Sequence, residues 1–460
     1  MKVVNELRTD VGNARRLAAA YGEVVRYVPA WKAWLIWDES RWVRDDYLSL
    51  EMRAKDVIRK YFRKAIGNGD EERDEDAVKH ALRSERLERI RAMVNLAKSE
   101  PGMCVEADQL DKDPLLLNCE NGTIDLRTGE LREHRKSDYI TKKAPVVFDP
   151  NARDPLWEDH IRHVTRGNTD LAEYLQRLGG YFLTGLTAEE IILLFLGGSG
   201  TGKTTYLEAL KAMMGDYAAT ADFETFLQSN QSRGPRNDLA RLAGRRLVCA
   251  SEVPAGRRFD EVTVKQLTGG DTVTARFLNR EHFEYRPQFK ICLAANHRPA
   301  VRDDDPAIWR RLKVVPFDHA VQKPNKKRKA HFQNPLGAGQ AILAWSVEGA
   351  LKWRQDGLQE PNIVREAIQE YRSETEVFSQ FVGDCCVEGS EQWASSVQLI
   401  SRYRDWSHTN GYKFPYGPAR FRLVLRQRSH IPEKRGGVRG WKGIGLVPPK
   451  PMVTAKKKSA

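Results

Sequence analysis

The sequence predicts a multidomain α/β protein built around a nucleotide-binding domain with a largely parallel sheet. Three observations lead there. Apolar strand-like runs (IILLFLGG, RRLVCASE and FKICLAAN) alternate with helical segments between about 188 and 320, the order that lays parallel strands side by side under covering helices. The first of those runs leads directly into GGSGTGKTT, a phosphate-binding pattern, and then into the helical stretch TTYLEALKAMM. At 460 residues and 52.5 kDa the chain exceeds what one hydrophobic core organises, so further domains are expected on both sides of this centre.

An α+β accessory domain is expected over residues 1–150. Trp31, Trp34, Trp37 and Trp42 lie in the strand-like WKAWLIWDESRW, where core packing is the favoured role for clustered tryptophans, and charged helical sequence follows to about Lys98. The stretch LLLNCENGTIDLRTGELREH alternates apolar and polar residues around Asn121-Gly122 and Thr128-Gly129, which predicts a small β-rich unit near 115–148. Residues 151–187 read as linker or collar helices. Leu171, Tyr174, Leu175 and Leu178 follow helical spacing, and Gly179-Gly180 is expected to end that helix.

The core with its closing helices is assigned to 188–375. Within it, 323–329 (KPNKKRK) reads as a solvated basic loop, and Leu343, Val347, Ala350 and Leu351 mark a helix closing over the core. Over 376–449 a helical patch (Val397, Ile400, Tyr403, Trp406) ends at Gly411. PARFRLVLRQR follows, then a hairpin through Gly436-Gly437, and the order helix, helix, wing suggests a winged-helix-like domain. Residues 450–460 form a basic tail.

Composition narrows the partners. The 75 Lys and Arg against 62 Asp and Glu give a net charge of +13, which favours a polyanion such as nucleic acid without proving it. The six cysteines show no C-x-x-C pair and no histidine cluster at zinc-ligand spacing, so a structural zinc site is not expected. No apolar run approaches the roughly 20 residues that span a bilayer, and MKVVNELRTD lacks a secretory signal's apolar stretch, so no membrane partner and a cytoplasmic location are expected.

The chemistry concentrates in the core. Gly197, Gly198, Ser199, Gly200, Thr201, Gly202, Lys203, Thr204 and Thr205 fit G-x-x-x-x-G-K-[ST] in the strand, loop, helix context that the pattern needs. Glycines let backbone N–H groups turn toward phosphate oxygens, and the following helix presents its positive end. Lys203 neutralises β and γ charge, and Thr204 is the expected Mg²⁺ ligand, so ATP and Mg²⁺ are the expected cofactors. Glu252 ends the strand RRLVCASE, a position from which a carboxylate can hold the metal's water and polarise the attacking one.

The segment 251–299, SEVPAGRRFDEVTVKQLTGGDTVTARFLNREHFEYRPQFKICLAANHRP, resembles the central part of superfamily 3 DNA helicases, nearest to the poxvirus-type and phage or plasmid primase-helicase family. The resemblance implies an AAA+ fold for the core and a β-hairpin whose tip, near Asn279, Arg280 and Glu281, enters a DNA channel. Arg280 is then the expected DNA contact, with Lys265 and Arg276 beside it. It further implies that Asn296 is the polar sensor of the γ-phosphate or attacking water. Arg311, or its neighbour Arg310 in DDDPAIWRRLKVVPF, becomes an arginine finger reaching a neighbouring subunit's ATP. A finger used in trans implies a ring, and the family forms hexamers with 3′ to 5′ travel. The chain begins almost at once with the accessory region and shows no acidic triad, so primer synthesis is not expected and a separate primase becomes a candidate partner.

The expectation is therefore an ATP-dependent replicative helicase of a phage, prophage or plasmid. It acts as a homo-hexameric ring on single-stranded and fork DNA, in the cytoplasm of a bacterial host. The alternative is an ATP-controlled origin-binding initiator or helicase loader without unwinding activity.

Overall fold

A computed structural model describes residues 7–67, 73–228, 236–251, 258–276, 282–299, 301, 306–320, 325–410, 412 and 416–448. They divide into two compact units, Met1–Phe148 and Asp149–Ala460.

The first unit mixes helices with two small antiparallel sheets. Its elements are α1 (Asp10–Tyr21), β1 (Val25–Val28), β2 (Ala33–Trp37), β3 (Trp42–Arg44), α2 (Ser49–Ile66), α3 (Glu75–Ser84), α4 (Leu87–Ala97), β4 (Leu116–Cys119), β5 (Gly122–Asp125) and β6 (Glu130–Arg132). β1-β2-β3 and β4-β5-β6 are each a three-stranded sheet, the second folded around the turn signals at Asn121-Gly122 and Thr128-Gly129. Trp37 and Trp42 are buried and meet edge to face at 5.8 Å, as core aromatics do. Trp31 departs from that expectation: it lies on the surface, 42% exposed, because it sits in a turn between β1 and β2.

The second unit opens with α5 (Pro155–Val164) and α6 (Thr169–Leu183), then β7 (Ile192–Leu196), α7 (Lys203–Met214), β8 (Ala218–Thr220), α8 (Asn237–Ala240), β9 (Leu247–Ser251) and α9 (Glu261–Thr268). Next come β10 (Val273–Ala275), β11 (Phe283–Tyr285), β12 (Lys290–Ala295), α10 (Pro306–Arg311), β13 (Leu312–Pro316), α11 (Lys326–Gln333) and α12 (Gly339–Asp356). β7, β8, β9, β12 and β13 form one parallel sheet in the order β13-β7-β12-β9-β8. Both faces are covered, which is why the strands read as unbroken apolar runs. Ile192 and Leu194 face α9, α10 and Tyr371, whereas Phe195 meets Tyr206 of α7 and Phe317.

Two elements differ from what the sequence predicts. The helix expected to stop at Gly179-Gly180 runs on to Leu183, and the glycine pair is the crossing point of α6 on α12. A Cβ added at Gly180 would lie 1.9 Å from the Ala350 backbone nitrogen, and one at Gly349 would lie 1.9 Å from the Gln176 carbonyl oxygen. The glycines are there for close approach, not for a left-handed cap. Within the stretch expected as a basic loop over 323–329, Lys326 to Lys329 open α11, and the Asn325 side chain caps the helix by accepting from Arg328 N at 3.0 Å. Lys323 and Pro324 lie outside the described residues.

The remainder consists of α13 (Asn362–Cys385), β14 (Cys386–Ser395), α14 (Ser396–Thr409), α15 (Pro418–Gln427), β15 (Ile431–Arg435) and β16 (Val438–Leu446). The strands pair antiparallel in the order β14-β16-β15, and a core of Phe378, Phe381, Tyr403, Phe421 and Trp441 joins them to the helices. Along α14 the buried stripe is Leu399, Tyr403 and Trp406, while Val397, expected on that stripe, is 77% exposed. Among the described residues no helix is long and apolar enough to cross a membrane.

Candidate nucleotide site

β7 delivers the chain to the loop 197–202 at the C-terminal edge of the sheet, and α7 begins at Lys203. The glycines are required by space and by backbone geometry. A Cβ at Gly197 would lie 1.9 Å from the Phe317 carbonyl oxygen, and Gly200 and Gly202 hold φ of 77° and 91°, where only glycine is unstrained. With Gly202 as its N-cap, α7 meets the loop with its positive end, where first-turn N–H groups have no acceptor within the helix.

Lys203 folds back across the loop. Its Nζ donates to the carbonyls of Gly197 (2.6 Å) and Gly198 (2.7 Å), to Thr201 Oγ1 (3.2 Å) and to Asn296 Oδ1 (3.2 Å). Burial lowers its pKa, so an anion brought to this ammonium relieves a desolvated charge. Thr204 is exposed and Thr205 half-buried on the first turn of α7, with Ser199 exposed at the loop's crest. Oxygen-seeking cation, helix N–H donors and an accessible hydroxyl form a donor set that fits a magnesium-bound polyphosphate.

Asn296 reaches Lys203 because β12 is the immediate neighbour of β7 and ends level with it, Ala295 pairing with Leu196. Glu252 lies outside the described residues; the strand before it, β9, ends at Ser251 opposite Ala294 of β12. Arg311 is placed away from the loop. Its guanidinium is buried, donating to Glu190 Oε2 (2.9 Å) and to the Ala307 carbonyl (3.1 Å). Arg310 points outward with its side chain 67% exposed, 3.7 Å from the same carboxylate. Lys265 lies on α9 and Arg276 directly after β10, both half-buried, while Arg280 lies outside the described residues.

Sequence reasoning missed two sets of neighbours. The last turn of α5 abuts the loop: a Cβ at Gly202 would meet Val164 Cγ1 at 2.7 Å and His160 Cε1 at 3.1 Å. Burial, aided by the Arg328 charge, lowers the His160 pKa to about 4, so the ring is neutral at physiological pH. Their signal was DHIRHV, whose histidines share a helix face with Trp157. Past Asn296, Arg298 is held by Glu370 (2.8 Å) and Glu374 (2.5 Å) of α13, and its carbonyl accepts from Gln427 of α15 (2.6 Å). A cavity of about 570 Å³ opens between these helices and the strand ends, lined by Leu196, Asn296, Arg298, Tyr371 and Tyr416 among others. Nothing in the sequence marked that arginine.

Residues 14–166 match the family model described as D5 N terminal like, and residues 195–311 match a family of unknown function, DUF5906. The chain is 29% identical over 323 residues to the "Putative helicase L207/L206" of Acanthamoeba polyphaga mimivirus, covering 65% of this chain and 34% of that protein. It is 25% identical over 394 residues to the "Putative helicase 022R" of Frog virus 3, covering 68% and 40%. It is 23% identical over 327 residues to the "Putative primase C962R" of African swine fever virus (isolate Tick/Malawi/Lil 20-1/1983), covering 65% and 34%. Among solved structures it is similar to the A form apo structure of the NrS-1 C terminal region (305-718), with a TM-score of 0.43 and 10% identity over 95% of this chain and 100% of that one. The chain thus spans between a third and two fifths of the length of these viral proteins named as helicases or primases.

Proposed function

We propose that this chain is an ATP hydrolase of the superfamily 3 helicase type, which moves on single-stranded DNA as a ring during genome replication. The observation that carries the reading is the meeting of Lys203 and Asn296, 93 residues apart in sequence and 3.2 Å apart in space, at the ends of adjacent parallel strands. Numbered within the sheet, the strand order is 5-1-4-3-2, with the phosphate loop after strand 1 and the acidic candidate after strand 3. Strand 4 stands between them and carries Asn296. This supports the AAA+ reading of the core, and the order α14, α15, β15, β16 beside β14 supports the winged-helix reading of the C-terminal part.

In this mechanism the loop N–H groups and Lys203 hold the β and γ phosphates, and Asn296 orients the attacking water that Glu252 polarises. The Thr204 hydroxyl and Glu252 would hold magnesium, which when bound would supply positive charge beside the phosphates. Arg310 or Arg311 of an adjacent copy completes the site, which supports a ring, with six subunits the expected number. Lys265, Arg276 and Arg280 are the DNA contacts that the resemblance implies, and the net charge of +13 suits that polyanion. A phage, prophage or plasmid source rests on the resemblance alone, since the relatives named above are proteins of large viruses. The test is ATP hydrolysis with and without single-stranded DNA, alongside fork unwinding, for wild type and Lys203→Ala. Wild type should be DNA-stimulated and should unwind, and the variant should do neither. Unwinding that survives Lys203→Ala, or hydrolysis indifferent to DNA, rejects the proposal.

A further inference from the structure

We propose that the base of the bound nucleotide is read by a histidine pair, His163 at the end of α5 and His319 just beyond β13, and that the preferred base is a purine. The inference rests on the nucleotide-binding reading above and adds to it the residues that meet the base.

Sheet order sets the direction in which a nucleotide lies. β7 stands between β12 and β13, so Asn296 flanks the phosphate loop on one side and the exit of β13 flanks it on the other. With the reacting phosphate at Lys203 and Asn296, the remainder of the molecule extends toward β13. Two segments close on the loop there. Phe317 N donates to the Leu196 carbonyl at 2.7 Å, which fixes the residues after β13 beside the loop, and Val164 of α5 packs against Gly202. Where these segments meet, the His163 and His319 rings stand 5.0 Å apart and tilted by 50°, the first half-buried and the second exposed.

A second observation points to a ligand. His160 is only 5% exposed, and its Nε2 has no hydrogen-bond partner among the described residues. That nitrogen lies 3.8 Å from where a Cβ of Gly202 would stand, so it is turned toward the loop. His163 Nε2 is also buried without a partner. Buried ring nitrogens are ordinarily bonded, and two without a partner on this helix, that of His160 facing the phosphate loop, are hydrogen-bonding capacity that a ribose hydroxyl or the polar edge of a base would satisfy. The imidazole faces supply stacking, which grows with ring area and so favours a purine over a pyrimidine.

Calorimetric titration of the full chain with Mg²⁺ and ATP, CTP or inorganic tripolyphosphate tests this. Wild type should hold ATP more tightly than CTP or tripolyphosphate. The double variant His163→Ala/His319→Ala should lose roughly tenfold in ATP affinity and keep its tripolyphosphate affinity, while His163→Phe, which retains a stacking face, should keep most of the ATP affinity. CTP binding as tight as ATP overturns the purine preference. ATP affinity unchanged in the double variant, with Lys203→Ala defective, overturns the histidine pair and leaves the phosphate-loop reading standing. Parallel loss of ATP and tripolyphosphate in the double variant overturns a base-specific role. Wild type that binds neither compound overturns both readings.

Discussion

His160 shows how one buried side chain ties stability to pH. Its ring packs against Trp157 and Phe332 at 5.7 and 5.4 Å, and burial lowers its pKa from 6.5 to about 4. The unfolded chain therefore takes up this proton first as the solution is acidified. Stability is intact above the unfolded value and is lost as pH falls from about 6.5 toward 4, with about 2 kcal/mol gone by pH 5. His160→Phe keeps the aromatic packing and removes the proton, so it should lose less stability than wild type between pH 7.5 and pH 5 when both are unfolded in urea. Equal losses in the two proteins would show that the imidazole does not titrate across this interval. Arg310 and Arg311 make the complementary point about adjacent residues. The two share one carboxylate, yet one is buried and bonded within its own chain and the other extends into solvent. The resemblance puts Arg311 first as the finger, whereas Arg310 is the one whose side chain is exposed.

At the scale of elements, the crossing of α6 on α12 leaves little room for change. Gln176 donates to the Trp345 carbonyl at 3.1 Å and Arg177 to the Lys352 carbonyl at 2.6 Å, bonds that the side chains make only because glycines let the backbones approach. Gly180→Ala places a methyl where the Ala350 nitrogen stands, so the helices must separate. The expected loss is about 3 kcal/mol or more, read as a lower urea midpoint at unchanged slope, while Gly357→Ala serves as a contrast because its Cβ meets nothing within 4 Å and only its φ of 73° is strained. A Gly180→Ala protein as stable as wild type would mean that the crossing is loose. This crossing also explains what the sequence conceals. Periodicity and caps are local, so the strands, the glycine loop and the helix after it are legible in one pass. Gly179-Gly180 belongs to a contact with residues 170 positions away, and a local reading turns it into a helix end. KPNKKRK misleads for the opposite reason: its charge suggests a loop, but an Asn cap and an apolar anchor, the buried Phe332, are enough to wind Lys326 to Lys329 into α11. His160, beside Gly202, stayed hidden because DHIRHV reads as one packed helix face and a histidine on a helix has no spacing that announces a ligand.

At the scale of the whole molecule, the ring proposed above would have a second copy supply an arginine to the candidate site. Within one chain Lys203 and Asn296 are together, whereas Arg311 is bound to Glu190 and Ala307 and Arg310 is exposed away from the loop. Arg310 is thus the side chain a neighbour's phosphates can reach without breaking a buried ion pair, whose disruption would itself be destabilising. Loss of a finger of this kind lowers turnover by roughly 10³-fold or more, so Arg310→Ala alone and Lys203→Ala alone should both be nearly inactive in ATP hydrolysis. Mixed in equal amounts, the two defects should complement. Wherever an intact loop from the Arg310→Ala chain faces an intact arginine from the Lys203→Ala chain, a whole site is restored, and random assembly makes about a quarter of the interfaces of this kind. Recovery of that order, appearing only after subunits are allowed to exchange, is the signature of a site shared between chains. A mixture as silent as its components would place the arginine's role inside its own chain and remove the need for a ring, while leaving Lys203 and Asn296 as a nucleotide site in a protein that works alone.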